Sequence, residues 1–374
     1  MNTFIGNTNM SDSIVLHGEK IGLTRGGLLD LSNQRLSDLS EVEGLESLGK
    51  LKYLELNNNK IRNLEGLILL EKLPKLRSLS LNNNQIEDLK GLDHFPRIES
   101  LFCMNNKIGE INGLDNLTSL KHLNLSHNRL FEIKKLDALI NLEELDLSYN
   151  NIQMVKGLEN LNKLIKLNLS HNDPAEIRGL NTLTALRSLN LEYNHISRIE
   201  GLDSLRNLSE LNLEGNRIGK IEGLENLTEL NELNLNNNQI KLIEGLSSLK
   251  NLKILRLKFN SVNKIDGIYS LTALKYLELD NNHITEIIGN DFPVQLNLVL
   301  LGYNQISSVQ NLSDNKTVFH LECNQITNID DLEKHLRYKR IFLFENPVMK
   351  EVFEKYPDWI AYGRYWKQQP TDIE

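Results

Sequence analysis

The stretch Leu120-Lys121-His122-Leu123-Asn124-Leu125-Ser126-His127-Asn128 decides the fold of this chain. Its frame, Leu-x-x-Leu-x-Leu-x-x-Asn, recurs with the asparagine repeated every 22 residues, at Asn84, Asn106, Asn128, Asn150, Asn172, Asn194, Asn216, Asn238, Asn260, Asn282 and Asn304. A fixed period between 20 and 50 residues is typical of a repeat solenoid, in which each repeat contacts only its neighbours. The sequence therefore predicts one continuous repeat array.

Each repeat contains one short strand. The alternation Leu123-Asn124-Leu125 predicts that both leucines point inward and that Asn124 points to the opposite face. One strand per repeat gives a parallel sheet, with neighbouring strands about 4.8 Å apart. The return path of each repeat is wider than its strand. We therefore expect an α/β repeat solenoid that is curved, with the sheet on the concave face and short helical or irregular arcs on the convex face.

Two positions of the repeat have predicted backbone roles. The repeated asparagine, called the ladder asparagine below, carries amide donors and an acceptor that can satisfy buried groups of the turn. A glycine follows it by seven residues in most repeats, at Gly66, Gly91, Gly113, Gly157, Gly179, Gly201, Gly223, Gly245, Gly267 and Gly289. This position is predicted to need a positive φ or a close backbone approach. Lys135 interrupts the series.

The full unit, Leu-x-x-Leu-x-Leu-x-x-Asn-x-Ile-x-x-Ile-x-Gly-Leu, resembles the leucine-rich repeat family. Within it, the unit resembles the 22-residue subclass named after a regulatory subunit of type-1 protein phosphatase. The resemblance covers almost the whole chain and implies a protein partner, for which a phosphatase catalytic subunit is one candidate. In that family, acidic and aromatic residues of the concave face contact the partner. Here the central column is instead asparagine, at Asn168, Asn190, Asn212 and Asn234.

The ends of the array depart from the repeat. Residues 1–13 are predicted to be disordered, residues 14–347 to form the solenoid with its N-terminal cap, and residues 348–374 to form a helical and aromatic C-terminal cap. The Asn-Pro pair followed by a short helix resembles the C-terminal cap of the same subclass. The tail, with Trp359 and Trp366, is interpreted as covering the last leucines, or alternatively as docking a partner.

Two local irregularities carry predictions of their own. The early repeats are longer, and the extra residues around 67–73 predict an added helical turn. Pro174 occupies an isoleucine position and is predicted to disturb its turn.

Composition and motifs argue against several classes of function. The net charge of −8 argues against a nucleic-acid binder. The polar N-terminus lacks the apolar segment of a signal peptide, and no apolar run reaches membrane-spanning length, so a cytoplasmic protein without membrane contact is predicted. Cys103 and Cys323 lie ten repeats apart, too far to form a disulfide. No catalytic, phosphate-binding or metal-binding pattern is recognisable, so we expect a non-enzyme without a cofactor, and a monomer.

The predicted concave face offers three groups of candidate binding residues. Acidic residues dominate its middle repeats, at Glu144, Asp146, Glu192, Glu210, Glu214 and Glu232, against the single base Lys166. Ring residues alternate along one rim, at His127, Tyr149, His171 and Tyr193. Apolar residues follow near the C-terminus, at Tyr276, Leu298, Leu300, Phe342 and Phe344. The apolar group predicts either an interface or a surface covered by the tail.

These observations favour a non-catalytic protein–protein interaction scaffold that binds its partner on the concave face. One alternative, from the family resemblance, is a regulatory subunit of a serine/threonine protein phosphatase. Another alternative is an adhesive surface repeat protein. The predicted lack of a signal peptide and of an anchor speaks against the adhesive alternative.

Overall fold

The computed structural model describes residues 12–358, except for residues 72, 290–291, 313–315 and 339. It falls into two compact units, Met1–His195 and Ile196–Glu374, called the N-terminal unit and the C-terminal unit below. Residues 1–11 of the segment predicted to be disordered, and the aromatic tail from Trp359 onward, lie outside the described residues.

The N-terminal unit begins with an antiparallel hairpin of β1 (Ser13–Leu16) and β2 (Glu19–Gly22). Ile14 and Leu16 are buried, and Val15 bridges to Glu43 of the first arc, so the hairpin covers the open end of the repeat array. Parallel strands follow in chain order: β3 (Leu28–Asp30), β4 (Tyr53–Glu55), β5 (Ser78–Ser80), β6 (Ser100–Phe102), β7 (His122–Asn124), β8 (Glu144–Asp146), β9 (Lys166–Asn168) and β10 (Ser188–Asn190).

The C-terminal unit continues the same pattern. Its main sheet is parallel and contains β11 (Glu210–Asn212), β12 (Glu232–Asn234), β13 (Ile254–Arg256), β14 (Tyr276–Glu278), β16 (Leu298–Leu300), β18 (Val318–His320) and β19 (Ile341–Phe342). A second, two-stranded parallel sheet pairs β15 (Glu286–Ile288) with β17 (Ser308–Gln310) on the arc side. Two short helices, α1 (Glu333–Arg337) and α2 (Met349–Lys355), end the described part of the chain.

Inward-pointing leucines form the core of both units, as predicted. Leu123 and Leu125 of one repeat are 2 % and 0 % exposed, whereas Asn124 between them is half-buried on the opposite face. The arcs contain short 3-10 helices, at Leu39–Glu41, Leu45–Ser47, Glu65–Leu70, Leu92–His94 and Asp330–Leu332. The predicted parallel-strand solenoid is thus confirmed, and the added turn around residues 67–73 is the six-residue 3-10 helix.

The ladder asparagine bonds its own turn to the preceding one. The Nδ2 atom of Asn128 donates to the carbonyl oxygen of Cys103 at 2.9 Å and to that of Leu125 at 3.0 Å. Its Oδ1 atom accepts from the backbone N–H of Ile108 at 3.0 Å. Since Asn128 is only 8 % exposed, these backbone groups would otherwise be buried without a partner. The predicted structural role of the ladder is confirmed.

Pro174 changes the ladder in one place. In the preceding repeat, the N–H of Ile152 donates to Asn172 Oδ1 at 2.9 Å. The equivalent donor one repeat later would be residue 174, and proline has no N–H. Asn194 Oδ1 accepts instead from the backbone N–H of Asn172 at 3.1 Å. The predicted local disturbance is therefore a change of donor within an intact turn.

Two columns of residues adopt the left-handed backbone conformation. The glycine position does so at Gly113, with φ of 64°, where an added Cβ would lie 2.4 Å from the carbonyl oxygen of Leu89. Lys135, which replaces glycine in one repeat, keeps the same conformation with φ of 59°. The second column is the residue just before each ladder asparagine, for example His127 with φ of 53°. This second column was not predicted from the repeat pattern.

Candidate protein-binding surface

The outward side chains of the strands form the sheet face, and in the N-terminal unit this face contains an open groove of about 360 Å³. Strands β6 to β10 supply its walls and floor. The lining residues are Phe102, His122, Leu123, Asn124, Glu144, Leu145, Asp146, Lys166, Leu167, Asn168, Ser188 and Asn190. Because the strands are parallel and in register, equivalent residues form rows across the strands, about 4.8 Å apart.

The two carboxylates predicted for this groove lie there but differ in their environments. Glu144 forms an ion pair with Lys166, with Oε1 and Nζ 3.0 Å apart. The Oδ1 atom of Asp146 accepts from the backbone N–H and the hydroxyl of Ser148, at 2.9 and 2.7 Å. Its Oδ2 atom lies 3.4 Å from Asn124 Nδ2, and no cationic group of the described residues lies within 4 Å. Asp146 is thus an uncompensated, half-buried negative charge at the groove floor.

Two asparagines continue the row of Asp146. Asn168 Oδ1 accepts from the N–H of Ser170 at 3.1 Å, and Asn190 Oδ1 accepts from the N–H of Glu192 at 3.0 Å. These bonds fix both amide groups with Nδ2 turned away from the local backbone. Within the described part of the chain, neither Nδ2 atom has an acceptor. The groove floor therefore presents two amide donors beside one carboxylate.

The four predicted rim residues form one stack of rings in the N-terminal unit. Adjacent ring centroids are 4.1 Å apart for His127 and Tyr149, 4.0 Å for Tyr149 and His171, and 4.7 Å for His171 and Tyr193. Interplanar angles of 9° to 20° show that the rings stack face to face. Tyr149 and Tyr193 are 45 % and 48 % exposed, so the stack keeps part of its aromatic surface accessible.

The acidic residues of the C-terminal unit are partly compensated. Arg256 pairs with Glu232, and its Nε atom lies 3.8 Å from Glu278 Oε2. Glu214 accepts from Asn234 Nδ2 at 3.0 Å and from Asn237 Nδ2 at 2.7 Å. Glu210, at the start of β11, is exposed. The predicted acidic residues of this unit therefore lie in a network of ion pairs and amide contacts, in which Arg256 is a cation that the sequence-based prediction did not include.

Asp280 is a further acid of this network. Burial is the main cause that raises the pKa of its carboxyl to about 6, and the negative charge of Glu278 adds to the effect. The N–H of Gly302, which donates to Asp280 Oδ1 at 2.8 Å, and the Lys258 ammonium act in the opposite direction. Asp280 therefore changes its charge near neutral pH, unlike an ordinary aspartate.

The predicted apolar residues near the C-terminus differ in exposure. Tyr276, Leu298, Leu300 and Phe344 are half-buried on the sheet side. The prediction that Phe342 is exposed is wrong, because only 3 % of it is accessible. Its ring stacks on His320 with centroids 4.5 Å apart, which places it inside the packing of the last strands.

Arg256 and Asp280 were missed at the sequence level, although a signal was present. Arg256 stands in the same column as Asn234, one repeat further along, and Asp280 lies two residues before its ladder asparagine. The outward positions beyond Asn238 were interpreted only for apolar residues, and the charged residues of the same columns include both Arg256 and Asp280. The burial that alters Asp280 could not be read from the repeat pattern, because it depends on the neighbouring side chains.

In the described ranges, no group of three or more His, Cys, Asp or Glu side chains is arranged to hold a metal ion. The helices of the described chain are all too short or too polar to cross a membrane. Cys103 fills a leucine position and is fully buried, and this burial raises the pKa of its thiol.

Comparisons with solved structures give many similar folds. An internalin (inlF) from Listeria monocytogenes is 29 % identical, with a TM-score of 0.70, over 83 % of this chain and 91 % of that one. A leucine-rich repeat protein of Leptospira interrogans is 24 % identical, with a TM-score of 0.60, over 88 % and 93 %. Toll in its complex with Spatzle, from Drosophila, is 23 % identical, with a TM-score of 0.61, over 80 % and 46 %. The last two show likeness of fold alone.

Sequence comparisons give the family. No curated protein matches this sequence. Models described as leucine-rich repeats match about half of the chain, at residues 49–94, 119–139, 138–153, 184–226, 206–248 and 250–293. These matches agree with the leucine frame, the parallel strands and the asparagine ladder, while the narrower phosphatase-subunit resemblance stays a prediction. The chain belongs to the leucine-rich repeat family.

Proposed function

We propose that this protein is a non-catalytic interaction scaffold that acts as a monomer and binds a partner protein on its sheet face, the face predicted to be concave. The observation that carries the proposal is the open groove of the N-terminal unit, about 360 Å³ in volume. Its floor holds Asp146 without a cation, and Asn168 and Asn190 with amide donors that no described residue uses. Polar groups that are partly desolvated and unpaired favour a binding partner that completes their hydrogen bonds.

The family and the fold support a protein partner in general terms. Toll, which shares the fold, is seen in complex with Spatzle. In the C-terminal unit, the half-buried Tyr276, Leu298 and Leu300 lie beside the Arg256 network, a combination of apolar and charged groups that suits a protein interface. Phe342 is buried and is therefore not one of the proposed contact residues.

Photo-crosslinking from chosen positions tests the proposal. A photo-reactive amino acid replaces either Lys166 on the sheet face or Asp115 on the arc, both of which are exposed, and the protein is incubated with lysate of its source. We expect Lys166 to capture one protein partner reproducibly and Asp115 to capture none above background. Capture from Asp115 and not from sheet-face positions would contradict the proposal.

A regulatory subunit of a serine/threonine phosphatase remains one specific form of this function. No sheet-face residue favours it over other partners, since the central column of Asn124, Asn168 and Asn190 is polar instead of aromatic. A phosphatase assay on the captured partner decides between the two.

An adhesive surface repeat protein is a second candidate function. The observation that favours it is the likeness to bacterial solenoids, including the Listeria internalin at 29 % identity. An adhesive protein must lie on the cell surface, which conflicts with the predicted cytoplasmic location. Limited proteolysis of intact source cells, followed by detection with an antibody, separates them: digestion in intact cells supports the adhesive candidate, and protection until lysis supports the cytoplasmic scaffold.

A further inference from the structure

We propose that the groove of the N-terminal unit binds an extended peptide segment that carries a lysine or an arginine. The inference rests on the proposed function and specifies the partner chemistry of one part of the sheet face. Asp146 would accept from the basic side chain, and Asn168 and Asn190 would donate to backbone carbonyl oxygens of the segment.

The charge of the groove floor favours a basic side chain in the partner. Along the groove floor, Glu144 is neutralised by Lys166 at 3.0 Å, whereas Asp146 has no cationic neighbour among the described residues. Both Asp146 oxygens stay in place, since Ser148 donates twice to Oδ1 and fixes the carboxylate plane. The Oδ2 atom accepts only one long hydrogen bond, from Asn124 Nδ2 at 3.4 Å, so this half-buried carboxylate is a favourable site for an ammonium or guanidinium group.

The amide donors of Asn168 and Asn190 favour backbone carbonyl groups in the partner. Each Oδ1 of Asn168 and Asn190 already accepts from the local backbone, so the amide atom without a hydrogen bond in the described residues is Nδ2. The complementary group is an acceptor, and a peptide carbonyl is the commonest acceptor in proteins. The two donors lie one strand spacing apart, about 4.8 Å, and an extended chain rises about 3.4 Å per residue. Carbonyl groups within two residues of each other can therefore reach both donors.

The hydrogen-bonding groups of the groove floor favour an extended segment over a helix. The Glu144–Lys166 pair lines the groove beside the row of Asp146, Asn168 and Asn190. In a helix most backbone carbonyls are already bonded within the segment, and only those of its last turn would be free for Asn168 and Asn190. An extended segment leaves its carbonyls available.

Selection from a displayed library of random eight-residue peptides tests the inference on the full chain. The peptides that bind are synthesised with a fluorescent label, and their affinities are measured by fluorescence anisotropy. We expect the selected peptides to share a lysine or arginine. Asp146→Asn should weaken their binding at least about tenfold, the loss of one charge-assisted hydrogen bond. Asparagine occupies this position in the neighbouring repeats, so the variant should fold normally.

The double variant Asn168→Asp/Asn190→Asp separates carbonyl recognition from simple charge attraction. Aspartate keeps the Oδ1 acceptor for the local N–H groups and removes both donors, as the native Asp146 already shows in its own repeat. We expect weaker binding of the basic peptides although the groove becomes more negative. Tighter binding would mean that charge alone attracts them and would overturn the inference. Asp115→Asn/Asp137→Asn, on the exposed arc, is the control and should leave affinities unchanged.

The remaining outcomes also decide the matter. If the library yields no peptide that distinguishes the native chain from Asp146→Asn, the inference is wrong. If crosslinking still captures a partner from the sheet face in that case, the proposed scaffold function survives and only its peptide specificity is lost. Selected peptides that are acidic or purely apolar would likewise overturn the inference.

Discussion

At the scale of single residues, each ladder asparagine stabilises two turns at once. Asn128 donates to three carbonyl groups and accepts from one N–H group in the buried turn, and no other side chain combines a donor pair and an acceptor in so short a length. The residue before it, His127, takes a positive φ, which brings the amide into position. The side chain in that column is free to vary, which is how a stack of histidine and tyrosine rings can be built on it.

Pro174→Ile tests the donor exchange in the ladder. Isoleucine restores an N–H at residue 174, and this group should donate to Asn194 Oδ1, as Ile152 does to Asn172 in the preceding repeat. We expect the new amide to be strongly protected in hydrogen-exchange NMR and the amide of Asn172 to lose protection. Exchange of residue 174 at the rate of an open amide would contradict the prediction. The amide of Ile152 is the internal control.

Asp280 makes stability depend on pH. Its pKa of about 6 in the folded chain lies above the ordinary aspartate value of about 3.9, because the carboxyl is largely buried beside Glu278. A raised pKa means that the fold prefers the protonated form. Its stabilising contribution is therefore full below about pH 4 and is lost as pH rises through 6.

Asp280→Asn removes this dependence, since asparagine is neutral and still accepts from the N–H of Gly302. Urea unfolding at several pH values should show equal stability of variant and wild type near pH 4. Above pH 6 the variant should be more stable, by on the order of 1–2 kcal/mol. Asp266→Asn, at an exposed position, should show no such divergence. A variant that is less stable at pH 7 would contradict the assignment of burial as the main cause.

At the scale of elements, the ends of the array differ from its repeats because their outer faces lack a neighbouring repeat. The hairpin of β1 and β2 buries Ile14 and Leu16 at one end. At the other end, α2 is anchored by Val348 and Val352, which are 3 % and 0 % exposed, and the N–H of Val348 donates to the carbonyl of Ile326 at 3.0 Å. Both ends thus bury apolar side chains that a solenoid would otherwise leave in water.

Deleting residues 348–374 should therefore lower the melting temperature or cause aggregation, because it removes Val348 and Val352 from the last repeats. Circular dichroism melts and light scattering measure both effects. A second deletion, of residues 359–374 alone, keeps α2 and serves as the matched comparison. If the longer deletion leaves a monomer with an unchanged melt, α2 has no capping role. If only the shorter segment proves necessary for partner binding, the tail is a docking arm.

The periodic part of the structure was predictable from the sequence, and the reason is physical. Each leucine position repeats the same environment, so the strands, the ladder and the glycine conformation followed from one repeat, and Lys135 keeps that conformation without glycine. Features that depend on a pair of particular side chains could not be inferred in this way. The stacking of Phe342 on His320, which buries a ring predicted to be exposed, and the pairing of Arg256 with Glu232 are two such features.

At the scale of the whole molecule, the two units offer a partner different kinds of contact. The sheet face of the N-terminal unit is polar and carries Asp146 without a cation. The sheet face of the C-terminal unit combines the paired charges around Arg256 with half-buried Leu298 and Leu300. Long-range charge mainly affects the rate of association, whereas desolvated apolar contacts mainly affect the rate of release. The units should therefore contribute differently to binding kinetics.

Surface plasmon resonance with the captured partner, at two salt concentrations, tests this division. Charge reversal to lysine in the N-terminal unit, at Glu144, Asp146 and Glu192, should slow association more than the corresponding reversal in the C-terminal unit, at Glu210, Glu214 and Glu232. The difference should shrink at high salt, since screening weakens exposed charges. Reversal of three exposed arc residues, Asp203, Glu225 and Glu229, is the control for net charge.

Truncation of the apolar residues completes the test. Leu298→Ala and Phe344→Ala should speed release with little change in association. The loss of binding free energy should be about 2 kcal/mol if either residue is a hot spot. Phe342→Ala should instead lower the melting temperature, because its ring is buried against His320. An unchanged far-UV spectrum is required of every binding variant. If neither set alters the kinetics while the arc reversal does, the partner binds the arcs, and the sheet-face proposal is wrong.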